Sequence, residues 1–186
     1  LTHNGQLLHD AEVFDITHEE GVFDVFSRKG QFQAPCLVLA AGLGNRKLAP
    51  LIGLKQPVRP QKGQILVTQK IDKLIEVPMT LLRQTAEGSI MIGDSKEEVG
   101  FDISSSIDIM AQIADRARRT LPVLEKQQII RSWAALRVMS PDGFPMYDQS
   151  ESCPGGFAIT CHSGVTLAAA HCFDMAADIE AGPFSV

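Results

Sequence analysis

Arg137 is the first residue whose type and position suggest chemistry. It lies in the apolar run Trp133-Ala134-Ala135-Leu136-Arg137-Val138-Met139, just before the turn Ser140-Pro141-Asp142-Gly143. Strand alternation puts Trp133, Ala135 and Arg137 on one face and Ala134, Leu136 and Val138 on the other. A guanidinium buried in such a strand needs an anionic partner or several acceptors. Its fork suits a carboxylate bidentately, and that carboxylate belongs either to a ligand or to an Asp or Glu of the same domain. The residues alone leave both open.

Two strand ends form the second feature. Ala40-Ala41-Gly42-Leu43-Gly44 and Thr160-Cys161-His162-Ser163-Gly164 each place a glycine-bearing turn after an apolar strand. Backbone amides in such turns can approach a ligand closely. The second turn is expected to open directly into a helix, whose unpaired N–H groups favour an anion or a polarised carbonyl. An ordinary strand-to-helix connection also uses glycine. Cys161-His162 sets a nucleophile beside a base, but neighbours on a strand point to opposite faces, which argues against a cysteine hydrolase. Cys36, Cys153, Cys161 and Cys172 show no C-x-x-C spacing and read as reduced intracellular thiols. With His3, His9, His18, His162 and His171 they offer no zinc-ligand spacing, so no metal is expected.

The elements that must position these residues can be read from periodicity. Segments 12–16 and 21–26 alternate as a hairpin, with its turn at His18-Glu19-Glu20-Gly21. Cys36-Leu37-Val38-Leu39-Ala40-Ala41 reads as a strand buried on both faces, and Gly42-Leu43-Gly44-Asn45 as a turn with backbone angles most residues avoid. A short helix-like stretch over 46–51 follows. Pro57 and Pro60 mark a boundary. Beyond it come strands at 63–68, 80–85 and 89–93, in antiparallel pairing. A helix over 105–121 sets Ile107, Met110, Ile113, Ala114, Ala117 and Leu121 on one face, with Ser105 and Asp108 as a capping pair. Strands at 129–138, 144–147 and 157–160 precede a last helix over 165–180, stopped by Gly182-Pro183. The class is α+β.

At 186 residues and 45% hydrophobic the chain can build one domain or two small lobes. A net charge of -5 with no basic stripe argues against nucleic acid as a partner. The one dense basic run, residues 116–119, ends a predicted helix, where it complements the dipole; anion binding is the alternative. No stretch approaches the ~20 apolar residues of a membrane span, and Leu1-Thr2-His3-Asn4-Gly5 has no signal-peptide pattern. A soluble, cytoplasmic chain is expected, associated with a membrane only through partner subunits.

The run from Trp133 to Pro145, together with Phe157-Ala158-Ile159-Thr160-Cys161-His162-Ser163-Gly164-Val165-Thr166-Leu167-Ala168, resembles the C-terminal signature of the D-amino-acid oxidase superfamily of FAD-dependent enzymes. That superfamily includes glycine oxidase, sarcosine oxidase and D-amino-acid dehydrogenases. Residues 83–95 and 161–167 are most similar to the flavoprotein subunits of hydrogen cyanide synthase and opine oxidases. The resemblance implies an antiparallel substrate-binding domain over 57–149. It also implies the C-terminal part of an FAD-binding α/β domain over 1–56 and 150–186.

It further implies that Arg137 binds the substrate carboxylate and that His162, Ser163, Gly164, Val165, Thr166 and Leu167 lie against the flavin ring. Val13 would touch the adenine through its backbone, and Ala40, Ala41 and Gly42 would border the diphosphate or adenosine. Cys161 stands where the typical member has glycine and is given no covalent link. The family's G-x-G-x-x-G turn does not occur in this sequence. The chain is therefore expected to be a C-terminal fragment, inactive and weak in FAD binding without an N-terminal half. The implied reaction takes a hydride from the α-carbon of a small amine or amino acid, with electrons passing to a partner subunit or a quinone. No protein acid or base is demanded. A non-catalytic module that binds amino acids or a protein partner is the alternative.

Overall fold

Alternation near the N-terminus becomes the antiparallel pair β1 (Val13–Glu19) and β2 (Val22–Ser27). Their two-residue turn is Glu20-Gly21, both at positive φ, the geometry that matches strand twist. A third strand, β3 (Gly30–Ala34), pairs with β2 and was not legible. Its residues are exposed up to Ala34, so it carries no apolar face to betray it. These strands make one sheet, in the order β1-β2-β3. The computed structural model describes residues 5–182; the opening 1–4, His3 among them, and the expected helix stop at Pro183 lie outside the described residues.

The chain divides into two units, Leu1–Arg59 with Val138–Val186, and Pro60–Arg137. In the first, a second sheet has the order β4-β10-β9, with β4 (Leu37–Leu39), β9 (Met146–Gln149) and β10 (Gly156–Thr160). Only Leu39 of β4 is buried, and Val38 is 38% exposed. The expected strand buried on both faces is therefore a short edge strand. An apolar run reports hydrophobicity but not which neighbours arrive. Ile16, Phe23, Leu39, Ile52 and Ala158 build this unit's core.

After β4 come a 3-10 turn (Gly42–Gly44), α1 (Asn45–Leu48) and a second 3-10 turn (Ala49–Ile52). After β10, residues 162–167 stay in turns. Helix begins only at α3 (Ala168–Ala170) and continues through a π-helical segment (His171–Met175) into α4 (Ala176–Ala181). The expected start at 165 is three residues early. Val165 and Thr166 are β-branched, and no side chain caps the helix, so nothing favours an earlier first turn.

The second unit is the sheet β6-β7-β5-β8 with one helix. Its elements are β5 (Arg59–Lys70), β6 (Leu82–Gln84), β7 (Ser89–Ile92), α2 (Ile107–Thr120) and β8 (Ile129–Met139). Ile113 and Ala117 of α2 pack on Leu66, Leu82, Ile90 and Ile92. The cap is Ser106, whose Oγ accepts from Ile109 N, and not Ser105. Ile107, expected on the core face, is 79% exposed, because the first helical side chain projects back past the helix end. β8 is an edge strand with no fully buried residue before Ser140, so Arg137 is half-buried rather than enclosed.

The class is α+β with mostly antiparallel sheets. The units change over at Arg59/Pro60 and Arg137/Val138, against sequence boundaries at 56/57 and 149/150. β9 pairs along β10 from Gln149↔Phe157 to Met146↔Thr160, which draws the segment after Arg137 into the first unit.

Candidate functional site

β4 and β10 run parallel, with Leu37 opposite Gly156, Val38 opposite Phe157 and Leu39 opposite Ala158. Parallel neighbours send their following turns off the same edge of the sheet, so the two glycine-bearing turns, 120 positions apart in the chain at Ala40 and Thr160, emerge side by side. The carboxyl edge of parallel strands is where open α/β sheets hold ligands.

Asn45, absent from the residues singled out by sequence, locks this edge. It has no solvent exposure. Its Nδ2 donates to Leu39 O at 2.9 Å, to Thr160 Oγ1 at 2.7 Å and to Ile159 O at 3.2 Å. Its Oδ1 accepts from Ala41 N at 3.0 Å. One amide thus joins the end of β4, the first turn and the end of β10, with donors and acceptor all engaged. In the run Gly42-Leu43-Gly44-Asn45, only Gly42 adopts a positive φ, +56°. A Cβ there would also press on Val138 Cγ2 at 3.3 Å.

Ala40 and Ala41 are exposed small residues beside this amide, and residues 162–166 are exposed as well. His162 Nδ1 shares a hydrogen bond with Ser163 Oγ at 3.2 Å, and Leu167 N donates to Ser163 O at 3.0 Å. Val165 is 95% exposed, an apolar side chain presented on a polar turn. Burial pushes the Cys161 thiol up from its usual value, partly offset by the Ser163 amide, which disfavours a thiolate nucleophile. Nearby, Tyr147 Oη and His171 Nε2 lie 2.9 Å apart. Val13 begins β1 and packs on the core cluster that contains Leu39 and Ala158. Small residues, exposed backbone and an apolar contact along a parallel carboxyl edge fit one flank of a flavin dinucleotide.

In the second unit Arg137 is already engaged. Its Nη2 pairs with Asp94 Oδ2 at 2.6 Å, while Nη1 donates to Ser95 O at 2.9 Å and to Lys62 O at 3.4 Å. An internal carboxylate, one of the two partners left open by sequence, occupies one prong. The guanidinium lies against Gly63, where a Cβ would come within 2.6 Å of Cζ. A Cβ there would push the guanidinium aside, so the constraint at Gly63 is space and not φ.

The segment carrying Asp94 and Ser95 is fastened to β5 by a buried lysine. Lys62, 3% exposed, reaches Asp102 at 2.9 Å and Glu97 at 3.3 Å, and its backbone exchanges two hydrogen bonds with Glu97. Gln64 adds bonds to Glu97 and to Ser106 N. The Asp102 hydrogen bond raises the Lys62 pKa against the burial that lowers it, and Glu97 adds to the rise. The Ser104 amide, followed by Lys62, brings Asp102 down to about 2. Lys62 lies one residue before the strand expected at 63–68, and its acidic partners are 35 and 40 residues on, so no local signal marked this clasp.

Among the described residues no group of three His, Cys, Asp or Glu could hold a metal ion, and no helix is long and apolar enough to cross a membrane. The protein family described as FAD dependent oxidoreductase matches residues 1–177. An opine oxidase subunit of Agrobacterium tumefaciens is 48% identical over 160 residues, covering 86% of this chain and 41% of that protein. Hydrogen cyanide synthase subunit HcnC of Pseudomonas aeruginosa is 34% identical over 122 residues, covering 63% and 29%. The crystal structure of glycine oxidase from Geobacillus kaustophilus superposes with a TM-score of 0.85 at 22% identity, covering 94% of this chain and 49% of that one. The chain spans less than half the length of these relatives.

Proposed function

The chain belongs to the FAD dependent oxidoreductase family, and we propose that it forms the C-terminal part of a flavoenzyme that oxidises the CH–NH bond of an amino acid or secondary amine. Glycine, a D-amino acid or an opine are the substrate types in view. The observation that carries this reading is the meeting of the two turns at the carboxyl edge of β4 and β10, knitted by Asn45. The similarity to an opine oxidase subunit supports the substrate class.

Ala40, Ala41, Gly42 and Val13 border the adenosine and diphosphate in this proposal, and His162, Ser163, Gly164, Val165, Thr166 and Leu167 face the flavin ring. When bound, FAD supplies the two-electron acceptor. The chain's own task is to bind and orient. Turn amides at 164–166 would favour charge on a polarised carbonyl beside them, and Val165 would exclude water there. Arg137 holds the substrate carboxylate. Asp94 engages Nη2 and the Ser95 and Lys62 carbonyls engage Nη1, which fixes the guanidinium plane, and a substrate carboxylate would approach along the 22% of the side chain left exposed. A partner subunit or a quinone would be the onward electron acceptor, a proposal supported by the relatives that are themselves named as subunits.

A visible absorption spectrum of the intact protein tests the reading. Flavin bands are expected, and anaerobic addition of one of a panel of opines, glycine and D-amino acids should bleach them. A colourless, folded preparation that takes up no FAD would overturn it.

A further inference from the structure

The turn after β10 is fixed at its near end, where Thr160 Oγ1 accepts from the buried amide of Asn45. Its far end runs into a helix with little of its own to hold it. No residue of α3, the π-helical segment or α4 is buried, and no side chain caps any of the three. A helix without a face in the core has almost no burial to set its place.

His171, the first residue of the π-helical segment, ties that helix to the sheet. Its Nε2 lies 2.9 Å from Tyr147 Oη, and the two rings meet edge to face with centroids 5.6 Å apart. Tyr147 stands on β9 opposite Ile159 of β10, so the sheet that launches the turn also carries its second anchor. Burial pushes the Tyr147 pKa up and Cys161 adds to the rise; the hydroxyl stays protonated at neutral pH and can donate to the ring nitrogen. From His171 two backbone steps lead back into the turn: His171 N donates to Leu167 O, and Leu167 N to Ser163 O, each at 3.0 Å. Ser163 O shares its peptide plane with the N–H of Gly164, the first of the turn amides at 164–166.

We propose that Tyr147 and His171 are positioning residues for the turn 162–167, clamping its far end as Asn45 clamps the near one. Through the two backbone bonds the clamp sets the direction of the 164–166 amides. That these amides face a flavin rests on the proposed function; the clamp itself is a property of the chain alone.

Amide hydrogen exchange at 163–171 and the flavin midpoint potential, both measured on the intact protein, test the two halves separately. Tyr147→Phe keeps the ring and removes the hydroxyl. It should speed exchange at 163–171 by about threefold or more, the loss of one hydrogen bond, and leave β1 and β2 unchanged. The potential should fall, because loosened amides stabilise the charge of the reduced flavin less well; a threefold loss corresponds to about 14 mV for a two-electron couple. His171→Ala should match it, the double variant should be no worse than either single one, and His171→Gln, whose amide oxygen can still accept from the hydroxyl, should restore most of both signals. Unchanged exchange in Tyr147→Phe overturns the clamp whatever the flavin does. Faster exchange with an unchanged potential overturns the positioning role. A protein that folds without flavin refutes the proposed function instead, and exchange alone then decides the clamp. Should His171→Ala not fold, Tyr147→Phe decides, since Tyr147 is 37% exposed and the change leaves its packing intact.

Discussion

Asn45 and Arg137 each organise one unit, and they do so by opposite means. Asn45 is uncharged, has no solvent exposure, and commits its whole amide to two strand ends and the turn between them. Arg137 is charged and 22% exposed, and besides two backbone carbonyls it holds one oxygen of a carboxylate that is itself 35% exposed. A neutral amide satisfied by backbone has no alternative partner that would repay leaving, so the carboxyl edge is set before any ligand arrives. A half-exposed ion pair in partial contact with water is worth little by itself and can be shared with a second carboxylate. The contrast matches the proposed roles, a rigid cofactor flank and an adjustable substrate anchor.

Asn45→Leu should break the first region most severely. Its four hydrogen bonds vanish and buried groups on both strands lose their partner, a cost of about 3–5 kcal/mol. Denaturant melts should show that loss, and flavin per folded molecule in the intact protein should fall with it. Normal flavin content in a destabilised variant would separate Asn45 from the cofactor and undo the comparison.

Arg137→Met in the intact enzyme should lower kcat/KM by about 30-fold or more while flavin content barely changes. Arg137→Lys should recover part of the activity, because an ammonium keeps the charge but not the fork. If Arg137 serves only Asp94, stability would fall instead, with kcat/KM per folded molecule near normal. Gly63→Ala sharpens the same point without touching charge: its Cβ must displace the guanidinium, so KM should rise by about fivefold, the effect of about 1 kcal/mol. An unchanged KM would mean that the fork's position is immaterial.

The smallest expected effect concerns the Lys62 clasp. Asp102 falls from its usual 3.8 to about 2 in the folded protein, so its contribution is complete above 3.8 and lost as pH drops through about 2. Lys62 is shifted upward, so its contribution holds below its usual 10.5 and fades only above it. Asp102→Asn should therefore flatten the decline in stability across the acid window and leave the neutral range nearly parallel to the parent. Unfolding midpoints at a series of acidic pH values would show an identical decline if the clasp contributes nothing.

Much of this protein was written in local pattern. Alternation gave β1, β2 and the strand around Arg137, the 3.6-residue period gave α2, and apolar runs before glycine marked both glycine-bearing turns, because these signals depend on neighbours within a few positions. β3 escaped because an exposed strand needs no apolar face, and the last helix began late because its cap is missing. What tertiary structure alone decided is which distant groups meet. Nothing local sets β4 beside β10, seats Asn45 across both, or delivers Asp94 to Arg137 over 43 positions. Those pairings follow from strand order and from the demand that each buried polar group find a partner, and that demand is met only once the whole chain has folded.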